Sequence, residues 1–267
     1  MYKLIAIDID DTLINDHMEV TEATSRALQE ATDKGVVVTL ATGRMYASAQ
    51  AIARQTGLNV PIITYQGALI KNLLDEKVLY ERFVPINAAR KLLEYCKEHN
   101  LHVQLYVNDR LHALEENEKL IAYANASKIP YIIDQDFDAL IEEPTYKMLI
   151  IDEPERLDEI APILRDLLGS EVHITKSKPQ YLEIMHREGT KGDALTFLAK
   201  HYNCHLSEVI AIGDSWNDHE MIEAAGLGVA MGNAVDSLKE IADYVTLTNN
   251  EEGVKHVIDK FILQKAE

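Results

Sequence analysis

A short apolar strand that ends in paired carboxylates is the feature that most constrains this chain. Residues 4–7 are apolar, and Asp8 and Asp10 follow within the segment Asp-Ile-Asp-Asp-Thr at positions 8–12. Alternate residues of a strand project to the same face, so these two carboxylates would lie side by side and repel each other without a cation between them. Open α/β sheets bind ligands at the carboxyl ends of their strands. The segment therefore predicts a divalent-metal site with a spare nucleophilic oxygen.

Predicted strands and helices alternate in two separate stretches of the chain. The apolar, β-branched run at 36–41 is typical of a strand buried on both faces, and Thr21 is a plausible N-cap for the helix that precedes it. After Gly189 the same alternation resumes. The remaining predicted elements are strands at 61–65, 209–212 and 227–231 and helices at 46–56, 191–202 and 252–261.

The stretch between them has a different pattern, with short strands and fewer helices. We expect Asn87 to cap a helix that reaches 99, a second helix over 154–168, and strands at 101–107, 147–151, 172–176 and 181–185. The predicted fold class is α/β: a Rossmann-like doubly wound parallel sheet core, formed by residues 1–83 and 188–267, with an inserted α+β cap domain at 84–187.

Size and charge narrow the possible partners. The 267 residues suggest two domains, and a net charge of -18 argues against nucleic acid and anionic membranes as partners. No apolar run reaches the roughly 20 residues that span a bilayer, and the amino terminus lacks a signal-peptide pattern. Two cysteines, Cys96 and Cys204, make no disulfide framework, so we expect a cytoplasmic location. The oligomeric state is left open.

Three further segments should reach the same sheet edge as Asp8. Thr42 and Gly43 follow the strand at 36–41, Lys191 opens a helix, and the segment 213–218 follows the strand at 209–212. Strand ends and helix starts offer free backbone N–H groups to an anion. A carboxylate nucleophile, positive charge and Mg²⁺ are what transfer of a negatively charged phosphoryl group requires. This set predicts phosphoryl-transfer chemistry on a small phosphate ester.

The same segments, in this order, resemble the four motifs of the haloacid dehalogenase-like phosphatases. The sequences Ala-Thr-Gly-Arg at 41–44 and Gly-Leu-Gly-Val-Ala-Met-Gly-Asn-Ala at 226–234 are similar to the Cof-type branch, as is a large insert between the second and third motifs. The resemblance covers essentially the whole chain. It implies a cytosolic phosphatase that hydrolyses sugar phosphates or phosphorylated cofactors through an aspartyl-phosphate intermediate.

The resemblance also implies a role for each motif residue. Asp8 would be the nucleophile and Asp10 the general acid and base. Mg²⁺ would be held by the Asp8 carboxylate, the Asp10 carbonyl and Asp214, with Asp218 acting through water. The phosphate would contact the Ile9 N–H, Thr42, Gly43, Lys191 and Asn217.

Two alternative functions stay open, and the sequence differs from the family pattern at two positions. A phosphotransferase or mutase would use the same residues, and a phosphate-responsive receiver module also combines acids, a threonine and a lysine, although receiver domains are much smaller. Gln66 stands where the family often has Asn, and Asp11 where it often has Gly. We expect Asp11 to face away from the metal, and leave open whether Gln66 contacts substrate.

A second metal site is less well supported. His201, Cys204 and His205 lie within one short segment, but no fourth ligand is evident, so a helix end with a buried cysteine is the favoured interpretation over zinc.

Overall fold

Two β-sheets organise the structure, a computed structural model that describes residues 1–265. The amino-terminal stretch alternates strands and helices and then ends in a hairpin. Its helices begin after extended N-cap residues, and Thr21 accepts a hydrogen bond from the Thr24 N–H as its sequence position predicts. The elements are β1 (Leu4–Asp8), α1 (Glu22–Asp33), β2 (Val37–Ala41), α2 (Tyr46–Ala53), β3 (Pro61–Thr64), β4 (Leu69–Asn72) and β5 (Val78–Glu81).

The middle stretch contributes six strands and four helices. They are α3 (Ile86–Glu98), β6 (His102–Val107), β7 (Arg110–Ala113), α4 (Glu118–Ser127), β8 (Tyr131–Ile133), α5 (Phe137–Leu140), β9 (Thr145–Ile151), α6 (Pro154–Leu168), β10 (Val172–Lys178) and β11 (Tyr181–His186).

The carboxy-terminal stretch returns to alternating helices and parallel strands. Its elements are α7 (Lys191–His201), β12 (Val209–Gly213), α8 (His219–Ala224), β13 (Leu227–Ala230), α9 (Asp236–Ile241), β14 (Tyr244–Val245) and α10 (Gly253–Val257), which continues as a π-helix over Ile258–Leu263.

The first and last stretches build one sheet in the order β14-β13-β12-β1-β2-β3-β4-β5. The strands from β14 to β3 are parallel, and β4 and β5 add an antiparallel hairpin at the edge. The central strands are buried along their length because helices cover both faces. The predicted fold class, a Rossmann-like core with an inserted α+β cap, is confirmed.

The middle stretch forms the cap around a second sheet, in the order β10-β11-β9-β6-β7-β8. Side chains alternate along its strands, so one face packs on α3 and α6 while the other faces the first sheet. On β9, Met148 and Ile150 belong to the helix-covered face, whereas Lys147 and Leu149 belong to the opposite one. The alternation therefore brings polar cap residues over the carboxyl edge of the core sheet.

Several local predictions need correction. Asn87 does not cap α3, because Pro85 takes the N-cap position and the helix begins at Ile86. The predicted helix over 46–56 turns into a 3₁₀ segment from Arg54. The hairpin β4–β5, the strands β7 and β8 and helix α4 were not assigned from the sequence. The three-to-four-residue strands are too short to show a periodicity of their own, and their pairing is fixed by tertiary contacts.

The predicted domain boundaries, 1–83 with 188–267 and 84–187, stay a prediction, and residues 266 and 267 of that range lie outside the described residues. Within residues 1–265, no helix has the length and apolar character needed to cross a membrane.

Candidate active site

Three carboxylates meet where β1 and β12 end side by side. Parallel pairing sets Ile7 against Ile212, so Asp8 and Asp214 leave the sheet at neighbouring points. Asp218 follows on a short 3₁₀ turn, where its Oδ2 accepts hydrogen bonds from the Asp214 N–H at 2.9 Å and the Ser215 N–H at 3.0 Å. Ligand oxygens of the three acids lie within 4.8 Å of one another, which makes this the one group of three potential metal ligands among residues 1–265.

Lys191 neutralises part of the negative charge of this acidic cluster. It is the first residue of α7, whose N-cap Thr190 accepts the Asp193 N–H, and its side chain is entirely buried. Its Nζ donates to Asp8 Oδ1 at 2.5 Å and to Asp218 Oδ1 at 2.6 Å. Burial opposes the charge of Lys191, but Asp218 and Asp8 outweigh it and raise the pKa of the ammonium. Lys191 is therefore charged at any physiological pH.

One ammonium does not balance three carboxylates, of which Asp8 and Asp218 are buried and Asp214 is half-buried. Burial raises the pKa of Asp8 well above its ordinary value, against the opposing attraction of Lys191. Burial, followed by the nearby charge of Asp218, raises the pKa of Asp214 to about 7. Hard oxygen donors with surplus negative charge are the ligand set that Mg²⁺ prefers. The residues present therefore fit a divalent cation, which would restore the ionised form of the cluster.

Asp10 has a different environment from Asp8. Arg44 donates a hydrogen bond to each oxygen of the Asp10 carboxylate, from Nε to Oδ2 at 2.7 Å and from Nη2 to Oδ1 at 2.6 Å. A bidentate pair of this kind fixes the plane of the carboxylate. Arg44 belongs to the motif at 41–44, but its pairing with Asp10 spans 34 positions and has no local signal in the sequence. The Asp10 carboxylate is thus held apart from the acidic cluster, beside the cavity that contains Asp8.

The predicted phosphate-binding residues surround Asp8. Ile9 is fully buried directly after β1. Thr42 is buried after β2, where its Oγ1 accepts the Arg44 N–H at 3.1 Å, and Gly43 lines the cavity beside it. Asn217 lies on the 3₁₀ turn before α8, and its Nδ2 donates to Gln66 Oε1 at 2.8 Å.

Thr42, Gly43 and Asn217 line one cavity of about 110 Å³ between the core and the cap. Core residues supply Asp8, Asp10 and Asp214, and the cap supplies polar residues from α4 and three of its strands. The lining is mixed in charge, because cationic side chains stand beside the acidic ones. The cationic side chains that line the cavity are Arg44, Lys147 and Lys178.

Some residues at this cavity have no signal in the sequence, and some residues singled out in the sequence lie outside the acidic cluster. Lys147 and Glu183 of the cap lie against Gln66 and Gly43 of the core, although nothing in their local sequence indicates it. Asp11 lines the cavity but is exposed and lies outside the acidic cluster, 3.8 Å from Lys178. His201, Cys204 and His205 form no group of metal ligands within the described part of the chain.

Comparison with known proteins agrees with this geometry. Residues 5–258 match the family model described as haloacid dehalogenase-like hydrolase. A putative phosphatase of Bacillus subtilis, YxeH, is 34% identical over 274 residues, which cover 99% of this chain and 100% of the relative. A second B. subtilis protein, the 5-amino-6-(5-phospho-D-ribitylamino)uracil phosphatase YitU, is 31% identical and covers 97% of each chain. A crystal structure from Thermotoga maritima superposes with a TM-score of 0.84 at 37% identity, covering 98% of both chains.

The fold, the acidic cavity and these relatives define a phosphoric monoester hydrolase. The chain belongs to the haloacid dehalogenase-like hydrolases, and the predicted resemblance to the Cof-type phosphatases of that group is confirmed. The alternative of a receiver module is thereby excluded.

Proposed function

We propose that this chain is a Mg²⁺-dependent phosphatase that hydrolyses small phosphorylated metabolites through a phosphoenzyme formed on Asp8. The observation that carries the proposal is the convergence of Asp8 and Asp10 at one cavity, with the buried Lys191 hydrogen-bonded to Asp8. The proposed catalytic, metal-binding and phosphate-binding residues come from four segments of the chain, and their convergence supports a role in one reaction. Asp8, Asp214, Asp218 and the Asp10 carbonyl would hold the metal, whose charge would reduce repulsion between the nucleophile and the phosphate.

The protein residues divide the reaction into two displacements at phosphorus. Asp8 attacks through a carboxylate oxygen, a new P–O bond forms, and the bond from phosphorus to the ester oxygen breaks. Asp10 donates its proton to the departing alkoxide. In the second displacement Asp10 takes a proton from water, the resulting oxygen nucleophile attacks phosphorus, and the bond to Asp8 breaks. Inorganic phosphate is released, and both carboxylates return to their starting states.

Arg44 and Lys191 have separate tasks in this scheme. Arg44 fixes the Asp10 carboxylate through both oxygens, which orients it for proton transfer. Lys191 remains protonated and offsets charge on Asp8 and on the bound phosphate. Thr42, Gly43, Asn217 and the Ile9 N–H would supply hydrogen bonds to the phosphate oxygens.

A sugar phosphate or a phosphorylated cofactor precursor is the substrate that we propose. Support comes from the polar lining of the cavity and from the curated relatives that are phosphatases of 5-amino-6-(5-phospho-D-ribitylamino)uracil. We further propose the division into a core of 1–83 with 188–267 and a cap of 84–187, with the cap selecting the substrate. The two free cysteines, Cys96 and Cys204, favour a reducing cytoplasmic environment.

The decisive experiment compares Asp8→Asn with Asp33→Asn in the presence of Mg²⁺. Asp33 is an exposed residue at the end of α1, at the opposite edge of the sheet, so its variant provides a matched carboxylate control. Asp8→Asn should reduce release of inorganic phosphate from an aryl phosphate to background, whereas Asp33→Asn should retain parental turnover. Near-parental turnover by Asp8→Asn would disprove the nucleophile assignment. Undiminished activity after exhaustive chelation would disprove the metal requirement.

A further inference from the structure

A buried ion pair lies on the core-facing side of the cap sheet. Lys147 on β9 and Glu183 on the neighbouring β11 meet with Nζ 3.0 Å from Oε2, and their side chains are only 1% and 3% exposed. Although burial opposes its charge, Glu183 holds the pKa of Lys147 above its ordinary value. The Nζ also lies 4.9 Å from the centre of the Tyr106 ring. The pair therefore lies inside the protein and lines the catalytic cavity.

The hydrogen bonds of this pair end on the phosphate-binding loops of the core. Lys147 Nζ donates to the Gly43 carbonyl at 2.7 Å. Gln66 Nε2 donates to Glu183 Oε2 at 2.8 Å, and Gln66 Oε1 in turn accepts Asn217 Nδ2 at 2.8 Å. The other carboxylate oxygen of Glu183 accepts Ser177 Oγ from the cap strand β10. A continuous chain of polar contacts thus runs from three cap strands to Gly43 and Asn217.

The core segment that receives these contacts is strained. Tyr65 and Gln66 both have positive φ, 51° and 64°, a region that non-glycine residues enter at a cost. The cap holds both of them. Tyr65 donates its hydroxyl to Asp109 Oδ1 at 2.5 Å, and Gln66 is held by Glu183. The Gln66 amide also lies so close to Gly43 that a Cβ there would approach Nε2 to 2.2 Å.

Stability alone does not explain an ion pair at this position. Well-packed apolar residues of similar volume usually replace a buried ion pair at no cost to folding, since desolvation of the two charges offsets their attraction. Apolar residues, however, cannot form the hydrogen bonds that orient neighbouring polar groups. The ammonium and the carboxylate fix the orientation of the Gly43 peptide and of the Gln66 amide, which themselves border the phosphate site.

We propose that Lys147 and Glu183 are positioning residues for the phosphate site, acting through Gly43 and through Gln66 to Asn217. The phosphate site is then complete only when the cap is seated on the core. By linkage, seating of the cap and binding of phosphate strengthen each other to the same extent. This inference rests on the proposed function, because it takes Gly43 and Asn217 as phosphate contacts.

The test replaces the pair with apolar residues, as Lys147→Met/Glu183→Leu. Urea unfolding should have a midpoint near that of the parent. The Kd for inorganic phosphate in the presence of Mg²⁺, measured by calorimetry, should rise about ten- to one-hundred-fold, as expected for loss of charge-assisted hydrogen bonds. The KM for an aryl phosphate should rise by a similar factor. A matched control, Lys176→Met/Asp158→Asn, removes a 2.5 Å ion pair that lies within the cap and should change neither constant.

Each outcome separates the inference from the proposed function. Parental phosphate binding by a folded double variant would overturn the positioning role and leave the proposed function intact. A parent that neither binds phosphate nor hydrolyses the ester would overturn both. If the double variant does not fold, Glu183→Gln supplies the same measurement with nearly unchanged shape. That variant should weaken phosphate binding at least threefold, and an unchanged Kd would overturn the inference.

Discussion

Lys191→Met is the substitution whose effect can be worked out most directly from the structure. Methionine has a similar length but no charge. The lysine Nζ lies 2.5 Å from Asp8 Oδ1 and 2.6 Å from Asp218 Oδ1, and no part of the side chain is exposed. The substitution leaves two buried carboxylates facing each other without their common counter-ion.

The size of the effect follows from two opposing contributions. At an effective dielectric constant of about 20, each contact corresponds to an attraction of about 6 kcal/mol, and desolvation of each ion offsets several kcal/mol of this. Removal of one partner from a buried ion pair costs about 3–5 kcal/mol. We therefore expect Lys191→Met to lower the free energy of unfolding of the metal-free protein by about that amount. Because total stabilities are about 5–15 kcal/mol, the variant should still fold.

The loss should also depend on pH. Burial raises the pKa of Asp8 and Lys191 counteracts it, so in the variant the folded protein holds this proton to a higher pH than the unfolded chain does. When the folded state binds more protons, stability falls as pH rises. The destabilisation relative to the parent should consequently be larger at pH 8 than at pH 5.

Urea unfolding in the presence of a chelator, at pH 5 and pH 8, measures both effects. Lys119→Met is the control, because Lys119 forms a 3.0 Å ion pair with Asp152 but is 37% exposed, and we expect it to lose less than about 1 kcal/mol. A loss below about 1 kcal/mol for Lys191→Met, or a loss that is the same at both pH values, would refute the electrostatic reasoning.

Two further predictions concern backbone geometry and a half-buried imidazole. Gly67→Ala should lower the free energy of unfolding, measured in urea, by about 3 kcal/mol or more, because Gly67 has φ +116° and a Cβ would lie 2.0 Å from the Thr190 carbonyl oxygen. The control is Gly35→Ala, which has φ +83° but open space around it and should lose only about 1 kcal/mol. Equal losses in the two variants would refute the steric argument. Burial, followed by the charge of Lys119, lowers the pKa of His102 to about 4 in the folded protein, whereas the pKa of an unperturbed histidine is about 6.5. The folded state therefore binds fewer protons than the unfolded chain between these two pKa values, and stability is lost as the pH falls through that range. Between pH 7.5 and pH 5, His102 should account for about 2 kcal/mol of the free energy of unfolding that the parent loses, as measured by urea unfolding at both pH values. His102→Gln should remove that part of the loss, and an unchanged loss in the variant would contradict the prediction.

Local chain properties were enough to predict the core and its motif positions. Residues 4–7 and 209–212 are short apolar runs typical of strands buried on both faces, and the acids that follow such strands emerge at a sheet edge. The prediction that Lys191 opens a helix also depends only on neighbouring residues, since Thr190 caps that helix three residues before Asp193. The resemblance to a known family supplied the proposed roles.

Local chain properties were not enough for the cap. Its strands β7 and β8 are four and three residues long, and such segments take their conformation from the strands they pair with. Asn87 has the chemistry of an N-cap, yet Pro85 occupies that position at the start of α3. Proline with its fixed φ suits the entry to a helix, and it overrides a weak local preference two residues later.

The sequence by itself determined which carboxylates and which lysine stand at strand ends and helix starts, because those positions follow from apolar periodicity and capping over a few residues. Only the tertiary structure decided their partners. Arg44 could meet Asp10 only once β1 and β2 were paired, and Lys147 could meet Gly43 across 104 positions only once the cap sheet lay over the carboxyl edge of the core sheet. The physical reason is that charge pairing acts through space over a few ångströms, whereas the sequence records only distance along the chain.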